Sequence, residues 1–282
     1  MTRPVRGFTV AAVQMRSTDD RKRNLDKAEA LAAEAADRGA EVIAFPENVA
    51  DVRAEGRLRP PAESLDGLTA LRFAAMAARH RAWILAGTIA LRNPRGRKRH
   101  NASILFAPDG SVAAVYRKMH LFDVAIPGRA VFRESATVAA GDTPVVASTP
   151  LGVFGLSICY DLRFPELYRH LALAGATVLL VPSAFTAYTG RSHWTALLRA
   201  RAIENLAYVV APAQWGLHHA GRRSYGHTCV IDPWGRVVAE RPSGTGIVLA
   251  RIDLSRVDRL RRELPVLMHA RRELLGGGPG SD

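Results

Sequence analysis

VFGLSICYDLRFPELYRHLALAGATVLLVP, residues Val153 to Pro182, opens with an apolar run, passes through Cys159 into a segment of helical character, and closes on a second apolar run. Val153 to Ile158 reads as a strand. Pro165 suits the first turn of a helix, which Gly175 stops after Ala174. Thr177 to Val181 then reads as a second strand, ended by Pro182. Strand, helix and strand in this order make a βαβ unit, the building block of sheets covered by helices.

The alternation extends outward from this unit. Phe8 to Met15 is a strand, and Arg21 to Arg38 a helix ending at Gly39, where a left-handed cap is easiest. Glu41 to Phe45 is the next buried strand, and Leu65 to His80 a helix with Leu68, Leu71, Ala75 and Met76 near 3.6-residue spacing. Ala82 to Leu91, Ser103 to Phe106 and Ser111 to Tyr116 read as strands, the last two an antiparallel hairpin across Pro108-Asp109-Gly110. After the central unit come helix Ser192 to Glu204 and strands Tyr208 to Ala213, Thr228 to Ile231, Arg236 to Glu240 and Gly246 to Ile252, with a turn at Asp232-Pro233-Trp234-Gly235. About eleven strands and four or five helices, with strands buried on both faces, predict an α/β fold. One domain over 1–264 and a C-terminal tail over 265–282 are expected, since no linker divides the chain and the end is Gly-Pro-rich.

Composition narrows the function. The 282 residues are 48% hydrophobic and 23% charged, which excludes a disordered polymer. The longest apolar runs fall far short of the roughly 18 residues that span a bilayer, so no membrane partner is expected. Met1 to Gly7 leads into polar Gln14 and lacks the pattern of a secretory signal. Two cysteines, Cys159 and Cys229, allow at most one disulfide and point to a reducing cytoplasm. The net charge of +13 draws anions, yet dense basic stretches occur only at Arg92 to His100 and Arg256 to Arg272. With no RNA-binding aromatic motif, no specific nucleic-acid partner is expected.

Three residues could carry chemistry. Cys159 sits where a strand ends and a helix is about to begin, the usual place for an α/β site. It is either a nucleophile, which needs a nearby base, or a buried inert thiol, the reading that suits Cys229. Glu47, in Phe45-Pro46-Glu47-Asn48, also follows a strand and is either a general base or a solvated loop carboxylate. Only four of the 39 cationic residues are lysine, namely Lys22, Lys27, Lys98 and Lys118. A compact ammonium at Lys118 suits an oxyanion better than a guanidinium does, while Lys22 and Lys27 read as solvated helix positions.

Phe45-Pro46-Glu47-Asn48, Tyr116-Arg117-Lys118-Met119-His120-Leu121-Phe122-Asp123 and Ile158-Cys159-Tyr160-Asp161-Leu162-Arg163-Phe164-Pro165-Glu166-Leu167 resemble, in order and spacing, the three signatures of the nitrilase or carbon-nitrogen hydrolase superfamily. The resemblance runs from about Val10 to Leu264. It implies a four-layer αββα sandwich, a homodimer or higher homo-oligomer, and a Glu-Lys-Cys triad working without metal or organic cofactor. It also implies a second glutamate, Glu134, sixteen residues after the lysine. Within the superfamily the Nit branch is the nearest match, and Gln214 to His227 is more similar to its deaminated-glutathione-cleaving subgroup than to its ω-amidases. A substrate with a 2-oxoglutaryl end is thereby implied, with Arg163, Tyr160 and Thr189 as its binding positions. Arg163 offers a bidentate carboxylate clamp, the alternative being a salt bridge to Asp161 or Glu166. The arginine-rich 92–99 segment departs from other members.

The implied chemistry is attack by Cys159 on an amide carbonyl, Glu47 taking the thiol proton, and Lys118 with the Tyr160 N–H holding the oxyanion. Three competing readings have their own residues. His120 or His193 could serve as the base of a Cys-His hydrolase, His218, His219 and His227 could hold a metal, and the basic surface could belong to a scaffold or nucleic-acid binder without catalysis.

Overall fold

The computed structural model describes residues 7–53, 60–125, 131–218, 222–271 and 273. Two sheets lie at the centre. The first has the order β17 (Gly246–Asp253), β1 (Gly7–Gln14), β2 (Val42–Ala44), β3 (Trp83–Leu85), β5 (His100–Phe106) and β4 (Ile89–Leu91), with β6 (Val112–Arg117) also paired to β5. The second runs β16 (Val237–Arg241), β15 (Thr228–Ile231), β12 (Tyr208–Ala211), β11 (Val178–Leu180), β10 (Gly152–Leu156) and β9 (Val145–Thr149). β1, β2 and β3 are mutually parallel, as are β10, β11 and β12. Helices α1 (Arg21–Asp37) and α2 (Leu68–His80) cover the first sheet, and α3 (Pro165–Leu173) and α4 (Ala187–Asn205) the second. The layers are therefore helix, sheet, sheet, helix, the αββα order.

Period-two alternation in β1 shows how the sequence builds these layers. Phe8, Val10 and Ala12 point into the core between the sheets, where Phe8 meets Phe154 edge-on at 5.9 Å. Ala11 and Val13 point the other way, into the core under α1 and α2. α1 starts at Asp20, whose side chain accepts from the Arg23 N–H at 3.0 Å, and buries Leu25, Ala28, Ala32 and Ala35 along one stripe.

Several expectations are corrected. The single strand over Ala82 to Leu91 is two, β3 and β4, broken at Gly87 (φ +68°), where the chain passes against Pro46 so closely that a Cβ would lie 2.0 Å from its carbonyl oxygen. Of the expected face of helix α2 only Met76 is buried; Leu68 and Leu71 are 58% and 57% exposed, Ala75 is exposed too, and Ala70, Phe73 and Ala77 join Met76 against the sheet. Phe73 decides the rotation by packing on Phe45 at 5.2 Å. α4 begins five residues before the predicted Ser192, capped by Thr186. Strands β7 (Asp123–Ala125), β8 (Val131–Arg133), β9, β13 (Trp215–Leu217) and β14 (Arg223–Tyr225) and helix α5 (Leu254–Glu263) were not expected, so the described residues hold seventeen strands and five helices.

The basic stretches are largely tied into the fold. Lys98 Nζ donates to the Ser135 carbonyl at 2.7 Å, Arg99 N–H to the Thr137 carbonyl at 3.1 Å, and Ala139 N–H back to the Arg99 carbonyl at 2.7 Å, so the 92–99 segment braces the loop that carries Glu134. In α5, Arg256 pairs with Asp232 at 2.9 Å and Arg261 donates to the carbonyls of Ala176, Asn205 and Leu206. Part of the tail expected over 265–282 lies outside the described residues. No helix among the described residues is long and apolar enough to cross a membrane.

Candidate active site

Glu47 leaves β2 at a turn that other segments hold rigidly. Asn48 adopts φ +56° and its N–H donates to Thr88 Oγ1 at 2.9 Å, while Gln214 Nε2 donates to the Glu47 carbonyl at 3.1 Å. Gln214 is itself pinned by two hydrogen bonds with Ser17, at 2.9 and 2.8 Å. Lys118 follows β6, fixed by its N–H to the Asn101 carbonyl at 2.9 Å. Glu134 opens a short 3₁₀ turn, Glu134–Ala136, after β8.

These three side chains meet in the interior. Lys118 Nζ lies 3.0 Å from Glu47 Oε1 and 2.9 Å from Glu134 Oε2, with Lys118 and Glu47 buried. Asn101 Nδ2 donates to both carboxylates, at 3.0 Å to Glu47 Oε1 and 3.2 Å to Glu134 Oε1. Backbone amides complete the set, Ala184 N–H to Glu47 Oε2 at 2.9 Å and Phe122 N–H to Glu134 Oε2 at 2.8 Å. Two carboxylates share one ammonium, so the cluster carries a net negative charge that the neighbouring amide donors offset.

Cys159 stands at the start of a 3₁₀ turn, Cys159–Arg163, just after β10. Its φ of +47° is a left-handed conformation that costs a non-glycine residue about 1–3 kcal/mol and persists only where the surroundings impose it. They do: the Cys159 N–H donates to the Pro182 carbonyl at 3.0 Å, and fully buried Asp161 accepts from the Ile158 N–H at 2.8 Å, the Tyr116 hydroxyl at 2.8 Å and the His120 N–H at 3.0 Å. His120 Nδ1 lies 2.7 Å from the same carboxylate. The far end of the turn is held by Arg201, which donates twice to the Leu162 carbonyl, at 3.1 and 2.8 Å.

Glu47 and Cys159 both line the same wall, close enough that each shifts the ionisation of the other. Burial pushes the Glu47 carboxyl up, but the Lys118 charge, the nearby Cys159 thiol and the hydrogen bond from Lys118 outweigh it and hold the group below the usual carboxylate range. Burial pushes the Cys159 thiol well above its ordinary range, and the Glu47 charge adds to this. Burial disfavours the Lys118 ammonium, yet the two glutamates raise its pKa well above that of a free lysine. The resting site therefore holds a carboxylate, an ammonium and a neutral thiol, in which Glu47 is poised to accept the thiol proton.

A cavity of about 670 Å³ opens over these groups. Glu47, Lys118, Glu134, Cys159, Tyr160, Arg163 and Thr189 all line it, so the structure brings every expected site residue together. Arg163 makes no ion pair with Asp161 or Glu166; its guanidinium lies 5.2 Å from the Phe185 ring centroid and 5.8 Å from that of Tyr160, and touches His193 Nδ1 at 3.2 Å. The salt-bridge alternative fails because Asp161 spends both oxygens on the Cys159 turn. His120 stacks on Phe164 at 3.7 Å and faces Asp161, and neither His120 nor His193 lines the cavity. His218 uses both ring nitrogens on Ser17 and Ser224, His227 faces Glu240 at 2.7 Å, and His219 lies outside the described residues. Cys229 is buried in β15. Asn101, Gln214, the Ala184 amide and the bracing role of Asp161 had no signal of their own in the sequence, because each works through contacts distant along the chain.

The comparisons with known proteins agree with this geometry. The family model described as carbon-nitrogen hydrolase matches residues 9–262. The chain is 44% identical over 266 residues to deaminated glutathione amidase of Synechocystis sp., covering 93% of this chain and 97% of that protein. It is likewise 44% identical to the Homo sapiens protein of the same name, covering 95% and 83%. Among solved structures, the Caenorhabditis elegans NitFhit protein superposes with a TM-score of 0.87 at 37% identity, over 96% of this chain and 67% of that one. Saccharomyces cerevisiae Nit3, a member of branch 10 of the nitrilase superfamily, superposes with a TM-score of 0.83 at 29% identity, over 95% and 97%.

Proposed function

Because the chain belongs to the carbon-nitrogen hydrolase family and is an amide-hydrolysing enzyme, we propose that its substrate is deaminated glutathione, cleaved to 2-oxoglutarate and Cys-Gly with Cys159 as nucleophile. One observation carries the chemistry: a buried ammonium, Lys118, bridges two glutamates at 3.0 and 2.9 Å in the same cavity wall as the Cys159 thiol. The substrate rests on the relatives of that name that match nearly end to end.

The steps follow from the charges. Since the free thiol and carboxylate are the favoured resting pair, the proton passes to Glu47 as the Sγ–C bond forms, and the carbonyl electrons move onto oxygen. Lys118 meets that oxyanion together with the Tyr160 N–H, which stands in the first turn of a helix, where amides lack an acceptor inside the helix. Collapse breaks the C–N bond, the departing amine takes the proton from Glu47, and a thioester remains. Water then adds, giving its proton to Glu47, and the C–S bond breaks as Glu47 returns that proton to sulfur. Glu134 acts as a positioning residue that holds Lys118. Arg163, over Tyr160 and Phe185 and near Thr189, receives the carboxylate of the 2-oxo acid half.

The family match over 9–262 supports one catalytic domain across 1–264. Both cysteines are free, in keeping with a reducing cytoplasm. Exposed Ile203, Trp234, Val237 and Val238, with Ile203 packed against Gly235, support a homodimer in which a second copy covers this face.

The test is release of 2-oxoglutarate from deaminated glutathione and, separately, from 2-oxoglutaramate, with wild type and Cys159→Ala. A kcat/KM at least about tenfold higher for deaminated glutathione, a difference of about 1.4 kcal/mol, with a folded and inactive alanine variant, is expected. The opposite ratio assigns an ω-amidase, and an active Cys159→Ala overturns the mechanism.

A further inference from the structure

Two of the five arginines of the cavity wall are bonded to protein oxygens. Arg21 pairs with Glu63 at 2.7 Å and Arg99 donates to the Pro60 carbonyl at 3.1 Å. Arg222 is different. It enters the cavity from its place just before β14, where its backbone carbonyl accepts from the His218 N–H at 2.7 Å. Its guanidinium carbon lies 5.8 Å from the Phe132 ring centroid, and its Nε is buried with no hydrogen-bond partner. No carboxylate among the described residues pairs with it, although its charge is felt at Glu47. A buried donor without an acceptor is destabilising, so a planar cation held against an aromatic ring with its Nε unused is a site awaiting an anion.

We infer that Arg222 is the anchor for a second carboxylate of the substrate, the one on the amine half that leaves as Cys-Gly. The inference rests on the amidase reading above and extends it to the leaving group. Deaminated glutathione carries two carboxylates, one beside the 2-oxo group and one at its glycine end, with the scissile amide between them. Arg163, from the turn after Cys159, and Arg222, next to β14, reach the cavity from separate elements without an acid partner, and Cys159 lies in the same wall. Its volume of about 670 Å³ also suits an elongated dianion. In the reading above, Arg163 serves the acyl half, which deaminated glutathione and 2-oxoglutaramate share. Arg222 would then be what separates a peptide-like leaving group from ammonia.

The test compares deaminated glutathione with its glycine carboxamide, which differs only in the charge of the distal end, and follows 2-oxoglutarate release in wild type and Arg222→Gln. Any effect of Arg222 on Glu47 is common to both substrates and cancels in their ratio. The expected result is a kcat/KM at least tenfold higher for the acid in wild type, carried by KM, and a ratio within threefold of unity in Arg222→Gln. A wild-type ratio near unity overturns the proposal while leaving the amidase reading intact, and this arm needs no variant. A large wild-type ratio that survives in a folded Arg222→Gln, checked by its melting temperature, also overturns it. If wild type hydrolyses neither compound, the amidase reading fails first and this inference with it.

Discussion

Replacing Asp161 with asparagine tests how the nucleophile is held, because the two side chains have the same shape and differ in what they can accept. Asp161 is fully buried and receives four donors: the Ile158 N–H and Tyr116 hydroxyl at 2.8 Å on Oδ2, and the His120 N–H at 3.0 Å with Nδ1 at 2.7 Å on Oδ1. An asparagine keeps one oxygen and presents an NH₂ where the other was. In either orientation one backbone N–H, that of Ile158 or of His120, loses its acceptor and faces another donor, whereas the Tyr116 hydroxyl or the His120 ring can turn a lone pair to the new NH₂. At about 1–3 kcal/mol for a buried group left unsatisfied, the loss is about 1–3 kcal/mol, a sizeable part of a domain's usual stability of about 5–15 kcal/mol. The same carboxylate holds Cys159 at φ +47°, so release of the turn lets the thiol relax toward a conformation about 1–3 kcal/mol lower and away from Glu47. A displacement near 1 Å at the reacting atom costs about a hundredfold in rate. Asp161→Asn is therefore expected to melt several degrees below wild type and to lose about two orders of magnitude in kcat, with KM changed far less. Thermal unfolding and steady-state release of 2-oxoglutarate read both quantities. Wild-type stability with wild-type kcat in Asp161→Asn would refute the reasoning, and the double variant with Tyr116→Phe should lose less than the sum of the two single losses, since both act on one network.

Two further outcomes follow from the geometry. Glu47 must be ionised to act, and its carboxyl lies below the ordinary value of about 4.3, whereas burial puts the Cys159 thiol above its ordinary value of about 8.5; kcat/KM is thus expected to stay flat between pH 5.5 and 8.5, to fall only on the acid side of about 4.3, and to show no rise through the normal thiol range, so a limb near pH 8.5 contradicts the neutral-thiol resting state. Gly87→Ala would set a Cβ 2.0 Å from the Pro46 carbonyl oxygen at a φ of +68°, against backbone that cannot turn aside, and is expected to destabilise the protein by more than about 1 kcal/mol and to cut kcat at least tenfold by shifting Glu47; a crystal structure of an active, unperturbed alanine variant would remove Gly87 from the account.

Local pattern was enough where the signal is short-ranged. The βαβ unit from Val153 to Pro182, the Pro108-Asp109-Gly110 hairpin and the stop of α1 before Gly39 were legible because period, turn residues and caps act within a few positions. Helix α2 shows the limit. Leu68 and Leu71 have the right spacing for a core face, yet the helix turns Phe73 inward because Phe45 offers it a partner, and that partner lies 28 positions away in the chain. β7, β8, β13 and β14 are short hairpin strands near the site whose pairing depends on where the hairpins dock, and α5 escaped notice because its few apolar positions are set among arginines that bond to carbonyls of other elements.

By itself the sequence singled out the side chains proposed to carry the chemistry: a cysteine at the end of a buried strand, a glutamate at the end of another, and a rare lysine, in an order that matches a known family. Those are facts of residue type and spacing. Only the tertiary structure decided how they act on one another, because the relevant distances join residues 71, 16 and 137 positions apart: Lys118 to Glu47, Lys118 to Glu134, and the Ala184 amide to Glu47. It also decided that Asn101 bridges the two glutamates and that Asp161 braces the nucleophile while Arg222 keeps a buried donor free. Electrostatic coupling and hydrogen bonding depend on separation in space, and separation in space is a property of the packed sheets.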